Sequence, residues 1–418
     1  MRTVARLLAL VSSMVSVLTL LPGLRGVAGT AKSIAGALSP ITALLGGIGA
    51  LLGLSVRDPA ATAAGSLGAA VAARHIALTS RDHNGLEAVF GPEWEAGLDR
   101  SRWLRRRWSP LPVRIPRDCE TEQGLVYAQV DGNALHCDVW QPPAGTPRSG
   151  LAVITVHGGA WHYGQRGGAM RPFCALLTGR GHTVIDIDYR LVPQAHFPGQ
   201  VMDVKRAVAW VRQNVDADRI ILYGGSAGAH LALMAAYAPE HPDLHPPELS
   251  PDTELCVDGI IAAYPPTDMS LFLADWERRQ PRTGAVNRLQ ARIADYVVRQ
   301  QGIVPEGGGY VPLEGILPSF FGGTPDAIPD VYRFGSPVEH VTRNAPPTLL
   351  IHGDDDHLVP VEHSLRLYDV LCEHGVPVVL TRYPQSGHAF DFFLVPISPP
   401  ARSMMYDVER FLARLAAI

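Results

Sequence analysis

Two patterns of apolar residues divide the chain. Before residue 80, apolar positions run on without a polar face. Leu7 to Leu24 is an uncharged run between Arg2/Arg6 and Arg25, and Ser33 to Val56 is a second. Both come close to or exceed the ~20 residues that cross a bilayer. Pro59 to Ala73 is a shorter stretch rich in Ala and Gly, ended by Arg74. A core helix of a soluble protein shows a polar stripe, which these runs lack. Residues 1–79 therefore read as a helical membrane anchor with two or three passes. A signal peptide cleaved near Val27-Ala28-Gly29 and a buried helical hairpin are the other readings. The basic start favours a cytoplasmic N-terminus; two passes keep the remainder inside, and three export it.

After about residue 112 the pattern becomes one of short, continuous, β-branched runs. They are Leu151–His157, His182–Asp188, Arg219–Tyr223, Val257–Tyr264, Thr348–His352 and Pro377–Tyr383. Continuous rather than alternating apolar strands indicate a sheet covered on both faces. Helical patterns separate them, as at Gln200–Gln213, Ala227–Ala238 and Glu362–Glu373. Strand–helix alternation predicts a mostly parallel α/β sheet with helices on both faces. Val126–Trp140 reads as an antiparallel hairpin turning at Asp131-Gly132-Asn133. Residues 80–111 form a connector. Its stretch Arg100–Trp108 is basic and Trp-containing, and suits either anionic lipid or a solvated linker helix. Residues 268–334 are a long insertion between strands. Val286, Leu289, Ile293 and Val297 lie there at helical spacing, with Arg288, Arg292 and Arg299 elsewhere on the helix. They suit a lid over the site or a helix packed on the domain.

Composition sharpens this division. The chain of 418 residues is 47% hydrophobic and 18% charged, which excludes a disordered protein. The net charge of −4 provides no basic footprint for nucleic acid. It is also uneven, because residues 1–79 hold six basic residues against Asp58 alone. Lys32 and Lys205 are the only lysines, an Arg bias expected of GC-rich coding. No CxxC pair occurs among Cys119, Cys137, Cys174, Cys256 and Cys372, which argues against zinc and dithiol chemistry. Buried free thiols are expected, with Cys119–Cys137 the alternative pair in an oxidising compartment.

The candidate chemistry lies at strand ends. Ile220–Tyr223 leads into Gly224-Gly225-Ser226-Ala227-Gly228 and then a helix. This is a nucleophile turn in its required strand–turn–helix setting. Gly224 and Gly228 give the turn room, and Ser226 stands at the positive end of the helix dipole. His157-Gly158-Gly159-Ala160-Trp161 follows another strand. The N–H groups of Gly158, Gly159 and Ala227 suit a developing oxyanion, while His157 reads as a structural hydrogen-bonder. Asp354, Asp355 and Asp356 follow a late strand and compete for the acid role. His388 follows the last strand, on the loop Tyr383–Phe390. Trp161, Tyr163, Tyr264 and Phe390 flank these loops as candidate pocket walls.

These residues resemble the hormone-sensitive-lipase-like branch of the α/β-hydrolases, which includes bacterial carboxylesterases and feruloyl-esterase-like enzymes. HGGAW at 157–161, Tyr189–Pro193, GGSAG at 224–228, Ser336-Pro337, the segment Ile351–Pro360 and SGHAF at 386–390 carry the resemblance over about residues 120–418. It selects Asp356, by its D-x-x-V-P placement, and leaves Asp354 and Asp355 as solvated turn residues. It implies a catalytic domain over 112–418 that hydrolyses carboxylic esters or lipids through Ser226, His388 and Asp356, without metal or organic cofactor. Hydrolysis of an amide or thioester is the alternative within enzymes, and a non-catalytic module the alternative outside them. Departures are the HGGA loop, where many relatives have HGGG, and Asn214–Asp218, where Gly-Gly-Asp-Pro is common. The resemblance does not cover residues 1–79, although isoprenylcysteine methylesterases are similar in carrying membrane segments before the hydrolase domain. A bacterial membrane or envelope is the expected location.

Overall fold

The computed structural model describes all residues except 25, 97, 99–103, 169, 273–312 and 418. The lid-or-packing helix expected around Val286–Val297, and part of the Arg100–Trp108 stretch, lie outside the described residues.

An eight-stranded sheet organises the larger part. Its strands are β1 (Glu120–Val130), β2 (Asn133–Gln141), β3 (Leu151–Val156), β4 (Thr183–Ile187), β5 (Arg219–Gly225), β6 (Gly259–Ala263), β7 (Thr348–Gly353) and β8 (Val378–Tyr383). The spatial order is β1-β2-β4-β3-β5-β6-β7-β8. β1 and β2 pair antiparallel, as do β2 and β4, and the remaining pairs are parallel. The hairpin closes through Asp131 (φ 50°) and Gly132 (φ 77°), the left-handed pair that a two-residue turn requires.

The continuous apolar strands are explained by the two cores. Ala152, Ile154 and Val156 of β3 face one cluster, and Leu151 and Val153 face the other. Helices α7 (Gly199–Asn214), α8 (Ala227–Tyr237) and α11 (Glu362–Glu373) cover the first face. Helices α6 (Arg171–Thr178) and α12 (Pro399–Ala416) cover the second. The sheet and its helices thus match the expected α/β architecture. Arg190 of the Tyr189–Pro193 motif joins elements from below: it donates to Asp203 of α7 at 2.9 Å and to Asp131 of the hairpin turn at 2.7 Å. Two short helices of the insertion, α9 (Leu313–Phe321) and α10 (Pro329–Phe334), bring Phe320, Phe321 and Tyr332 into the first core.

The N-terminal segment folds as α1 (Arg2–Leu18), α2 (Gly26–Ala37), α3 (Ser39–Ser55) and α4 (Pro59–Thr79), followed by the short α5 (Gly85–Phe90). The two long apolar runs are broken. Pro22-Gly23 ends the first, and Pro40 at the start of α3 interrupts the second, because proline removes a helical donor and fits only the first turn. Among the described residues no single helix is long and apolar enough to cross a membrane; Ala28–Ala37 and Ser39–Ser55 reach that length only as a pair bent by 69°. The segment packs inside out. Ala5, Ala9, Ser12 and Ser16 of α1, Gly46, Gly49 and Gly53 of α3, and Gly65 and Gly68 of α4 face inward. Leu7, Leu10, Met14, Leu44, Leu51 and Leu54 face outward.

All five cysteines are free. Cys137 and Cys174 are buried as expected, but Cys256 and Cys372 are exposed.

Candidate active site

The nucleophile turn is a consequence of crowding. β5 ends at Gly225 and α8 begins at Ala227, leaving one residue, Ser226, to reverse the chain at φ 54° and ψ −122°. A Cβ on Gly228 would lie 2.1 Å from the Val156 carbonyl oxygen, and one on Gly224 would lie 2.3 Å from that of Gly228. Only glycine lets the helix start this close to the sheet. The Ser226 N–H donates to the Ala263 carbonyl at 2.9 Å, which ties the turn to the neighbouring strand.

Three loops at the carboxyl ends of β5, β7 and β8 meet here. Ser226 Oγ lies 3.0 Å from His388 Nε2, and His388 Nδ1 lies 2.7 Å from Asp356 Oδ2. The other Asp356 oxygen accepts from the N–H groups of Leu358 and Val359, each at 2.9 Å. Burial alone would raise the Asp356 pKa. The charge of His388 and hydrogen bonds from His352 and His388 outweigh that and hold the carboxyl well below the usual carboxylate range. Asp356 therefore presents a fixed negative charge to His388, which orients the imidazole so that Nε2 faces the serine. Of the three competing aspartates, the structure brings only Asp356 to the histidine. The expectation that Asp354 and Asp355 are merely solvated needs correction. Asp354 pairs with Arg382 at 2.7 Å, and Asp355 pairs with Lys32 of α2. These partners lie 28 and 323 residues away in sequence.

The glycine loop after β3 lies against the nucleophile turn. A Cβ on Gly158 would lie 2.8 Å from the Gly225 carbonyl oxygen and 3.4 Å from Ser226 Cβ. Gly159 follows at φ 124°, then Ala160 and Trp161 at φ 52° and 60°. Ala227 is the first residue of α8, so its N–H has no intrahelical acceptor. The three expected oxyanion donors thus belong to two backbone segments in contact around Ser226. His157 is structural, as anticipated: it is buried, its Nδ1 donates to the Gly158 carbonyl at 2.8 Å, and its ring stacks on Tyr189 at 4.3 Å.

The proposed pocket residues separate. Tyr163 is half-buried, whereas Trp161, Tyr264 and Phe390 are buried. Trp161 stacks on Phe320 of α9 at 4.4 Å and donates from Nε1 to His230 Nδ1 at 3.2 Å. Phe390 packs on Tyr383 at 4.9 Å. Tyr264 faces the chemistry: its ring centroid lies 4.7 Å from that of His388, and its hydroxyl donates to Asp391 at 2.9 Å.

Sequence reasoning missed three supporting groups. His230, one turn beyond Ser226, accepts from Trp161 and donates from Nε2 to the Gly335 carbonyl at 2.8 Å. Burial pushes its pKa down to about 4, which keeps the ring neutral in this role. His352 sits 3.5 Å from Asp356 and donates to the Val359 carbonyl at 2.8 Å. Asp391, beneath Tyr264, has its pKa pushed up to about 6 by burial. An i+4 position after the nucleophile and a His opening the Gly-Asp loop were the available signals, but both also fit ordinary core histidines. Among the described residues, no three or more His, Cys, Asp or Glu are grouped as metal ligands would be.

Known proteins resemble this chain in sequence and in fold. A family model described as BD-FAE matches residues 137–303, and the prolyl oligopeptidase family model matches residues 319–406. The first range contains the glycine loop and Ser226, and the second contains Asp356 and His388. Esterase LipC of Mycobacterium tuberculosis is 31% identical over 296 residues, spanning 68% of this chain and 65% of its own length. The chain thus covers somewhat less than two thirds of that relative. Thermogutta terrifontis esterase 2 phosphoramylated by tabun superposes with a TM-score of 0.50 at 23% identity, covering 72% of this chain and 95% of that one. A bifunctional GH43-CE protein of Bacteroides eggerthii gives 0.52 at 23% identity, covering 71% and 38%. Strand order, nucleophile turn and these likenesses together give the chain the α/β-hydrolase fold and a sequence similar to esterases of that fold.

Proposed function

We propose that this protein is a membrane-associated serine carboxylesterase. The observation that carries the reading is the unbroken relay from Ser226 Oγ to His388 Nε2 at 3.0 Å and from His388 Nδ1 to Asp356 at 2.7 Å. The matched esterase, LipC, supports the choice of ester over other acyl substrates.

His388 takes the hydroxyl proton as Ser226 Oγ bonds to the ester carbonyl carbon. The carbonyl oxygen becomes an alkoxide facing the N–H groups of Gly158, Gly159 and Ala227, each donor contributing ~10²–10³ in rate. The C–O bond to the alcohol breaks, and the leaving oxygen receives the proton from His388. Water then gives a proton to His388 and attacks the acyl-serine; the bond from the acyl carbon to Oγ breaks, Oγ takes that proton back from His388, and the acid departs. Asp356 remains ionised throughout and stabilises the imidazolium.

The outward-facing leucines of α1 and α3 support membrane association. In membrane helix packing, small residues line the contacts and large apolar side chains face lipid. This segment has that distribution, and Gly46, Gly49 and Gly65 lie within backbone contact of neighbouring helices.

Fluorophosphonate labelling followed by peptide mass mapping tests the enzymatic reading. A single adduct at Ser226 is the expected result. An unlabelled Ser226 in folded protein would remove the nucleophile from the scheme.

A further inference from the structure

The N-terminal helices reach the two loops that carry the acid and the base. Lys32 of α2 pairs with Asp355, the residue before Asp356, and also donates to the Leu21 carbonyl at 2.8 Å. His75 of α4 donates from Nδ1 to the Gln385 side-chain oxygen at 3.0 Å, three residues before His388. Ser33 Oγ lies 3.2 Å from where a Cβ on Gly387 would stand, so α2 abuts the backbone next to His388. The loops are also tied to each other, since the Asp355 N–H donates to the Ser386 carbonyl at 2.9 Å.

The contact is built rather than incidental. Lys32 is buried, and lysine is almost never buried unless its charge is paired. The chain has one other lysine, Lys205, and it too is buried and donates to backbone carbonyls, those of Ala238 and Pro239 at the end of the nucleophile helix. His75 is buried against Gly36 of α2, whose Cβ would lie 2.9 Å from its Nε2, so the ring cannot swing away from Gln385 toward α2.

We propose that Lys32 and His75 are positioning residues. They clamp the Asp356 and His388 loops, so that the N-terminal helices set the geometry of the relay as well as forming an apolar surface. The inference rests on the esterase reading. Displacing a catalytic group by ~1 Å can cost on the order of 100-fold in rate, so the clamp should act on kcat.

The test is steady-state hydrolysis of p-nitrophenyl acetate by the purified full chain in detergent, with active sites counted by end-point fluorophosphonate titration. Lys32→Met and His75→Phe should each lower kcat about tenfold or more per titrated site, with KM within twofold. Lys32→Arg should restore most of the Lys32→Met loss, which a nonspecific packing defect would not allow. Asp355→Asn, made on the loop side, should reproduce the Lys32→Met loss. The double variant Lys32→Met/Asp355→Asn should be no worse than either single one. Unchanged kcat in Asp355→Asn, or additive losses in the double variant, would overturn the proposal. Wild type without hydrolysis would instead overturn the esterase reading.

Discussion

At the residue scale, the site is defined by which polar groups burial forces into contact. Asp356 has two backbone N–H donors and two histidines around it, and that environment fixes its charge. Asp356→Asn would keep the shape, lose the charge and allow the wrong imidazole tautomer. A kcat loss of roughly 10⁴ is expected, read with p-nitrophenyl butyrate. Asp391 shows the opposite case. Burial raises its pKa from 3.8 to about 6, so the folded state holds this proton more tightly than the unfolded state. The resulting stability is fully present below about pH 4 and declines until the pH passes about 6, for a total of about 3 kcal/mol. Asp391→Asn can still accept from Tyr264 but has no carboxyl to ionise. Its unfolding midpoint relative to wild type should rise between pH 4 and 6 and then stay level. A pH-independent difference would show that Asp391 does not titrate in this window. The identities of Ser226, Asp356 and His388 were legible because each follows a strand in the expected chain order. The roles of Asp355 and Asp391 were not legible, because their partners, Lys32 and Tyr264, are 323 and 127 residues distant.

At the scale of elements, β3 to β8 were read to within two residues, since a sheet covered on both faces leaves an unbroken apolar run, whereas the hairpin was read from Val126 and β1 begins at Glu120. Glu362–Glu373 was read with the same bounds the structure has. The N-terminal helices were read less well. Composition showed long apolar runs, but Pro22-Gly23 and Pro40 divide them into shorter pieces. Which face turned inward was also hidden, because helix packing here depends on glycine rather than leucine. Adjacent glycines provide the check. A Cβ on Gly46 would lie 2.7 Å from the Ala69 nitrogen and the Gly65 oxygen of α4, whereas one on Gly47 would meet nothing within 4 Å. Gly46→Ala should destabilise the packing of α3 on α4 by about 1–3 kcal/mol. Gly47→Ala should stabilise slightly, by about 0.5–1 kcal/mol, since alanine is the better helix residue. Limited proteolysis within residues 1–79 separates the two variants. Equal behaviour would contradict the interface.

At the scale of the whole molecule, an inside-out helical segment contacts the α/β-hydrolase fold at the loops that carry Asp356 and His388. Among the described residues, exposed large apolar side chains lie between Met1 and Leu67, apart from Leu111, Val126, Leu271 and Leu394. Exposed apolar side chains concentrated in one segment of a chain mark an interaction surface. Leu44→Ser with Leu51→Ser should weaken partition into phosphatidylcholine vesicles by about 3 kcal/mol or more, given about 1.5–3 kcal/mol per buried leucine. Hydrolysis of a soluble ester should be unaffected. Flotation on a density gradient reads the first quantity, and undiminished flotation would contradict lipid contact through α3. The proposed activity turns on Ser226 as the nucleophile of an ester hydrolase. Its most direct test is the turnover of p-nitrophenyl butyrate by the full chain and by Ser226→Ala. Wild type should turn over steadily and the variant should lose roughly 10⁶ in rate, with the unfolding midpoint unchanged. A folded Ser226→Ala protein that keeps wild-type turnover would contradict it.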